Sequence, residues 1–249
     1  MIAIIGGSGL TQLVNLEIQR RQIVRTPYGE PSGPLTFGRM GATEVVFLAR
    51  HGYGHTLAPH EINYRANLWA LHLQGVTRVI SVCTVGGIAP ALGAGSIALP
   101  DQIIDYTWGR PSTYFEGSEQ PVTHIDFTHP YDEDTRRMVL AASRAAGVAL
   151  VDGGTYAATQ GPRLETKAEI DRIERDGGTM VGMTGMPEAA LARELRMGYA
   201  TLAVVVNPAA GRGSSAHSVS MEEIGRVIEE TMGKVRLIVA KVVERHAGS

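Results

Sequence analysis

Several short stretches combine residue types that could hold an anion or a polar heterocycle. The opening apolar run ends in Gly6-Gly-Ser-Gly9, a turn whose backbone N–H groups and Ser8 hydroxyl could hold a free phosphate. A dinucleotide fingerprint would need glycine where Gln12 stands, and an acidic residue closing a second strand roughly 20 residues on; neither is present. A plain tight turn after a strand accounts for the same residues. Arg50-His-Gly-Tyr-Gly-His55 follows a second strong strand. Arginine offers a rigid fork suited to phosphate, and histidine adds a donor that is charged or neutral according to its surroundings. A solvated Arg-His pair would look the same. Cys83-Thr-Val-Gly-Gly87 ends another strand, where glycines let a ligand approach the backbone and Thr84 supplies a hydroxyl. Cys83 has no base beside it and reads as a small buried hydrophobe rather than a nucleophile.

Met183-Thr184 precedes a helix at Pro187 whose N-terminus could bind an anion, although Met183 alone reads as core packing. Asn207 closes the apolar run Leu202 to Val206: it is either aimed at a ligand or starts a turn with Pro208. Glu165, at the end of Gly161-Pro-Arg-Leu-Glu165, either brings a carboxylate to a site or opens a helix. His55, His60 and His72 have no metal-ligand spacing, so no metal is expected.

The elements that must position these residues are short. Strands are expected at Met1–Ile5, Glu44–Ala49, Arg78–Cys83, Ser96–Leu99, Val148–Val151, Thr155–Thr159, Thr179–Met183 and Ala200–Val206. Several lack polar alternation, as strands covered on both faces do. Helices are expected at Asn63–Gln74, Asp134–Ala146, Glu165–Asp176, Pro187–Arg196 and Ser220–Arg245, the last opening on a capping-box pattern, Ser220 to Glu223. The frequent β-then-α order favours an α/β fold with a central sheet. Tyr106 to Tyr131 is polar and aperiodic, an elaborated functional or interfacial loop within one domain spanning residues 1–249.

With 249 residues, 44% of them hydrophobic, the chain can fill a sizeable core. A net charge of −2 with no basic block excludes holding nucleic acid or an anionic membrane by charge. One cysteine, no basic leader before the first apolar run and no bilayer-length apolar stretch point to a cytoplasmic protein.

Five segments in order carry a resemblance: Ile4-Ile-Gly-Gly-Ser-Gly-Leu10, Leu48-Ala-Arg-His-Gly52 with His55, Asn63-Tyr-Arg-Ala-Asn-Leu-Trp-Ala70, Gly161-Pro-Arg163, and Met183-Thr-Gly-Met-Pro-Glu188. Over nearly its whole length the chain resembles the trimeric purine nucleoside phosphorylases, and within them the methylthioadenosine phosphorylase branch. That likeness implies a twisted mixed sheet flanked by helices, a homotrimer, and phosphorolysis of a nucleoside with phosphate as co-substrate and no metal or organic cofactor. It places phosphate at Ser8, Arg50, His51, Thr84 and Thr184, with Cys83 lining the same pocket. Met183 would pack on the ribose, Leu164, Glu165, Asn207 and Ala209 would frame the purine, and His55 would adjoin it. His51 and Asn207 would be the catalytic pair, and His124, with Phe127, would reach a neighbouring subunit's site.

Within that resemblance the chain departs from adenine-specific members. These place aspartate where Asn207 stands, a second aspartate at Ala209 and serine at Glu165; an asparagine and a glutamate suit a 6-oxopurine. At the other end, inosine enzymes hold the 5′-hydroxyl with a histidine where Met221 stands, and Val219 is apolar too. Together these imply 5′-methylthioinosine as substrate. The alternatives are methylthioadenosine, ordinary inosine or guanosine, or a non-catalytic nucleoside-binding protein.

Overall fold

In the computed structural model, residues 1–10, 13, 15–117 and 121–247 are described; Gln12, where the dinucleotide pattern fails, lies outside them. The strands are β1 (Ile2–Gly6), β2 (Glu17–Gln22), β3 (Leu35–Met40), β4 (Thr43–Ala49), β5 (Arg78–Gly87), β6 (Ile97–Leu99), β7 (Gln102–Asp105), β8 (Val151–Asp152), β9 (Thr155–Ala158), β10 (Met180–Gly182) and β11 (Gly198–Pro208). All eleven join one mixed sheet, in the order β2-β3-β4-β1-β5-β10-β9-β7, with β11 pairing β5 and β6, and β6 pairing β8. The helices are α1 (Tyr64–Leu73), α2 (Glu133–Ala145), α3 (Lys167–Arg175), α4 (Gly185–Glu194) and α5 (Met221–His246).

The apolar strands behave as two-sided elements. Along β1, Ala3 and Ile5 join one buried cluster while Ile2 and Ile4 join the other, as a period of two requires. The first cluster includes side chains of α1 and α4, the second those of α2 and α5. The sheet is thus covered on both faces, in agreement with the expected α/β class. β5 is its hub: β11 runs parallel to it along its whole length, β1 runs parallel to its first half, and β10 runs antiparallel to its last two residues.

Three strands carry no signal in the sequence. β2 is exposed along its whole length at one end of the strand order, so it has no apolar face to betray it. β3 and β7 are the others, β7 being only four residues long. The helix expected at Glu165 begins instead at Lys167, because Thr166 caps it in a complete two-bond box with Glu169. Ser220 likewise caps α5 through the N–H of Glu223. Between β7 and α2 the described residues of the long loop form no helix or strand.

Candidate active site

The C-terminal ends of β1, β4, β5 and β11, together with the turn after β10, open on one cavity of about 520 Å³. Ligands bind at such carboxyl ends in open α/β sheets. At its inner end lie Gly7 and Ser8 from β1, Arg50 and His51 from β4, and Cys83 and Thr84 from β5. Gly7 is required by close approach: a Cβ there would stand 2.9 Å from Arg50 Nη1 and 2.7 Å from the Val82 carbonyl. Thr184 stands just before α4 and makes no side-chain capping bond; Met186 is extended (φ −120°, ψ 139°), so the regular helix runs from Pro187, as expected from the sequence.

Arg50 is fully buried. Its Nε donates to Glu188 Oε2 at 2.7 Å and its Nη2 to Glu188 Oε1 at 2.8 Å, a two-pronged pair. Nη2 also donates to Ser81 Oγ at 2.6 Å, and Nη1 to the Val82 carbonyl at 2.9 Å. Four of its five N–H groups are thereby committed, leaving one on Nη1 for a ligand. Burial opposes the Arg50 charge, but the attraction of Glu188 outweighs it and holds the guanidinium protonated. Tyr199 and Ser81 donate to the same carboxylate at 2.8 and 3.0 Å.

His51 Nδ1 faces the Leu57 carbonyl at 2.8 Å. A carbonyl only accepts, so Nδ1 carries the proton and Nε2 is left as an acceptor. Burial pushes the ring down to about 4, with the Arg50 and His55 charges adding to it against the Leu57 contact. The His55 ring lies 4.5 Å from that of His51. Burial also pushes the Cys83 thiol up to about 12, which keeps it protonated and inert.

The outer end of the cavity is built differently. Between Val205 and Asn207 the β5–β11 register shifts, and this irregularity leaves Asn207 opposite Gly86 and lining the cavity. Asn207 Nδ2 donates to the Pro208 carbonyl at 2.6 Å, so one N–H and Oδ1 remain for a ligand. Glu165 does not open α3; its Oε1 accepts from Thr159 Oγ1 at 2.6 Å, which fixes the carboxylate at the cavity wall. Met183 stands behind Gly161, where φ is +61° and an added Cβ would meet its sulfur. Leu164, Ala209, Val219 and Met221 complete this end, with Ile224 and Ile228 of α5 extending the apolar wall.

Every site residue expected from the sequence therefore lines this one cavity, except His124 and Phe127. His124 is exposed on the long loop, outside its own chain's cavity, while Phe127 packs against the core. Sequence reasoning missed Glu188 as the partner of Arg50, and missed Thr159 and Ser81. Among the described residues no group of three or more His, Cys, Asp or Glu is placed to hold a metal ion. No described helix is long and apolar enough to cross a membrane.

The model of the phosphorylase superfamily matches residues 1–244. A probable S-methyl-5′-thioinosine phosphorylase of Pseudomonas syringae pv. tomato is 53% identical over 97% of both chains. A 6-oxopurine nucleoside phosphorylase of Pyrococcus furiosus is 46% identical, over 97% of this chain and 91% of its own. Among solved structures, methylthioadenosine phosphorylase from Schistosoma mansoni in complex with adenine superimposes with a TM-score of 0.95 at 29% identity, covering 100% of this chain and 92% of its own. The chain belongs to the phosphorylase superfamily.

Proposed function

We propose that this protein cleaves 5′-methylthioinosine with inorganic phosphate, giving hypoxanthine and 5-methylthioribose 1-phosphate. The observation that carries the reading is the composition of the outer cavity: a fixed carboxylate, Glu165, and an amide, Asn207, at one side and an apolar Val219–Met221 wall at the other. A 6-oxopurine offers N1–H to the carboxylate and O6 to the remaining amide N–H, whereas the N1 of a 6-aminopurine would face Glu165 with no proton. The 5′-methylthio group meets carbon and sulfur rather than a hydrogen-bonding partner.

The inner cavity supplies the chemistry. Phosphate is held by the Ser8, Thr84 and Thr184 hydroxyls and the last Arg50 N–H. His51 Nε2 accepts from the P–OH of monohydrogen phosphate, which the neutral ring can do and a protonated ring cannot. A phosphate oxygen forms the bond to C1′ as the C1′–N9 bond breaks, and the bonding pair passes to the purine. The purine gains a proton at N7, where Asn207 Oδ1 accepts it in a hydrogen bond, and the phosphate gives up its own proton over the whole reaction. The negative phosphate stabilises the cationic sugar by position and charge, and no enzyme nucleophile is required.

The same reading makes the protein a cytoplasmic homotrimer in which His124 reaches the site of the next subunit. A second reading, ordinary inosine or guanosine as substrate, is favoured by the 68% exposure of Met221, which leaves the 5′ end open in the single chain. The deciding assay crosses hypoxanthine, guanine and adenine bases with 5′-hydroxyl and 5′-methylthio riboses, with and without phosphate, beside sedimentation at assay concentration. Phosphate-dependent turnover that is fastest on methylthioinosine, by a trimer, is expected. Comparable efficiency on methylthioadenosine overturns the base assignment, and turnover without phosphate overturns the reaction.

A further inference from the structure

Arg110 lies on the long loop between β7 and α2, is 9% exposed, and takes no part in the chemistry above. No carboxylate among the described residues pairs with it. Its guanidinium is held instead by main-chain carbonyls. Nη1 donates to Met183 O at 2.8 Å and Met186 O at 2.6 Å; Nη2 donates to Gln160 O at 2.8 Å and Thr159 O at 3.4 Å. Nη1 also reaches Tyr64 Oη at 3.3 Å, and that hydroxyl donates to the Pro59 carbonyl at 2.9 Å. Nε is buried with no partner, so the fork is placed for its outer nitrogens rather than for its own full satisfaction.

The carbonyls it gathers come from segments that lead into separate walls of the cavity. Thr159 and Gln160 lead into the segment that ends at Glu165, and Thr159 is itself the donor to that carboxylate. Met183 and Met186 bracket Thr184, in the turn that faces the ribose and phosphate. Pro59 belongs to the loop after His55. Resting on the proposed nucleoside phosphorolysis, we infer that Arg110 is a positioning residue: its planar fork fixes the spacing between the base-binding wall and the turn that holds ribose and phosphate. A lysine has the charge but only one nitrogen, and cannot reach both walls at once. Reaction geometry is sensitive at this level, since misplacement by about 1 Å costs on the order of 100-fold.

The test compares Arg110→Lys, Arg110→Met and Tyr64→Phe with wild type, varying methylthioinosine and phosphate separately, with circular dichroism and thermal unfolding as checks of folding. Both Arg110 variants are expected to lose about 10-fold or more in kcat/KM per folded enzyme, and Tyr64→Phe a few-fold, as misplacement of reacting groups predicts. Calorimetric titration with hypoxanthine and phosphate should show weakened binding in the same order, a readout independent of turnover. Native kinetics in Arg110→Lys would overturn the positioning role in favour of charge alone; native kinetics in Arg110→Met would remove the residue altogether. If the Arg110 variants do not fold, native kinetics and hypoxanthine binding in Tyr64→Phe overturn the inference. Absence of methylthioinosine turnover in wild type would sink the substrate reading, and the hypoxanthine titrations would still judge Arg110.

Discussion

The inner and outer ends of the cavity share a sheet but are held by different means. At the inner end, Arg50 and Glu188 are both fully buried and cross-braced by Ser81, Tyr199 and the Val82 carbonyl. At the outer end, Leu164 is 40% and Met221 68% exposed, and single hydrogen bonds, from Thr159 to Glu165 and from Asn207 to Pro208, do the orienting. On the proposed function the inner end handles phosphate, the co-substrate, and it is built deep in the sheet. On the same function the outer end sets which nucleoside enters: Leu164 and Glu165 sit on a loop, where such residues vary freely, while Asn207 and Ala209 stand at and just after the end of β11.

The sharpest way to break the contrast is to remove the buried brace. Glu188→Ala should destabilise the protein by about 3–5 kcal/mol in urea unfolding, because Arg50 is left buried without its counter-charge. The double change Arg50→Met with Glu188→Leu should be less destabilising than the two single changes added together. Strict additivity would mean that the pair is not coupled.

Acid should also act first at the inner end. Unfolded histidine takes up a proton near 6.5, whereas His51 in the fold does so only near 4. The unfolded state therefore binds more protons between these values, and stability falls as pH drops from 6.5 towards 4, by on the order of 3 kcal/mol. Above 6.5 this contribution is flat. His51→Asn should remove that part of the acid limb in unfolding titrations; an unchanged limb would mean that the ring is not held neutral.

The smallest effect belongs to the outer end. Thr159→Val deletes one hydrogen bond to Glu165 and should cost about 1 kcal/mol, roughly 5-fold in nucleoside kcat/KM. Phosphate KM and thermal stability should stay put. A loss confined to the phosphate terms would place Glu165 at the wrong end.

The two ends also differed in how far they could be read beforehand. Strand-end motifs such as Gly6-Gly-Ser-Gly9 and Arg50-His51 mark the inner end because apolar runs and glycines announce where strands stop. Glu188 was invisible as a partner because it lies 138 residues from Arg50, and only the fold joins them. Arg110 escaped for the same reason: main-chain carbonyls leave no pattern in side-chain types. Asn207 stayed ambiguous until the β11 register shift showed what turns it to the cavity. The edge strand β2 was missed because its exposed residues alternate with nothing buried.

That the outer end chooses the purine while the inner end is indifferent to it is a consequence of the proposed function. It is tested most directly by the triple change Glu165→Ser, Asn207→Asp and Ala209→Asp, assayed on methylthioinosine and methylthioadenosine at varied phosphate. Exchanging the hydrogen-bonding pattern of a buried site is worth about 1–3 kcal/mol per unsatisfied group, so preference should swing by roughly 100-fold or more towards the 6-amino nucleoside. Phosphate KM should remain at the wild-type value. An unchanged base preference, or a phosphate KM that moves with it, would contradict the account.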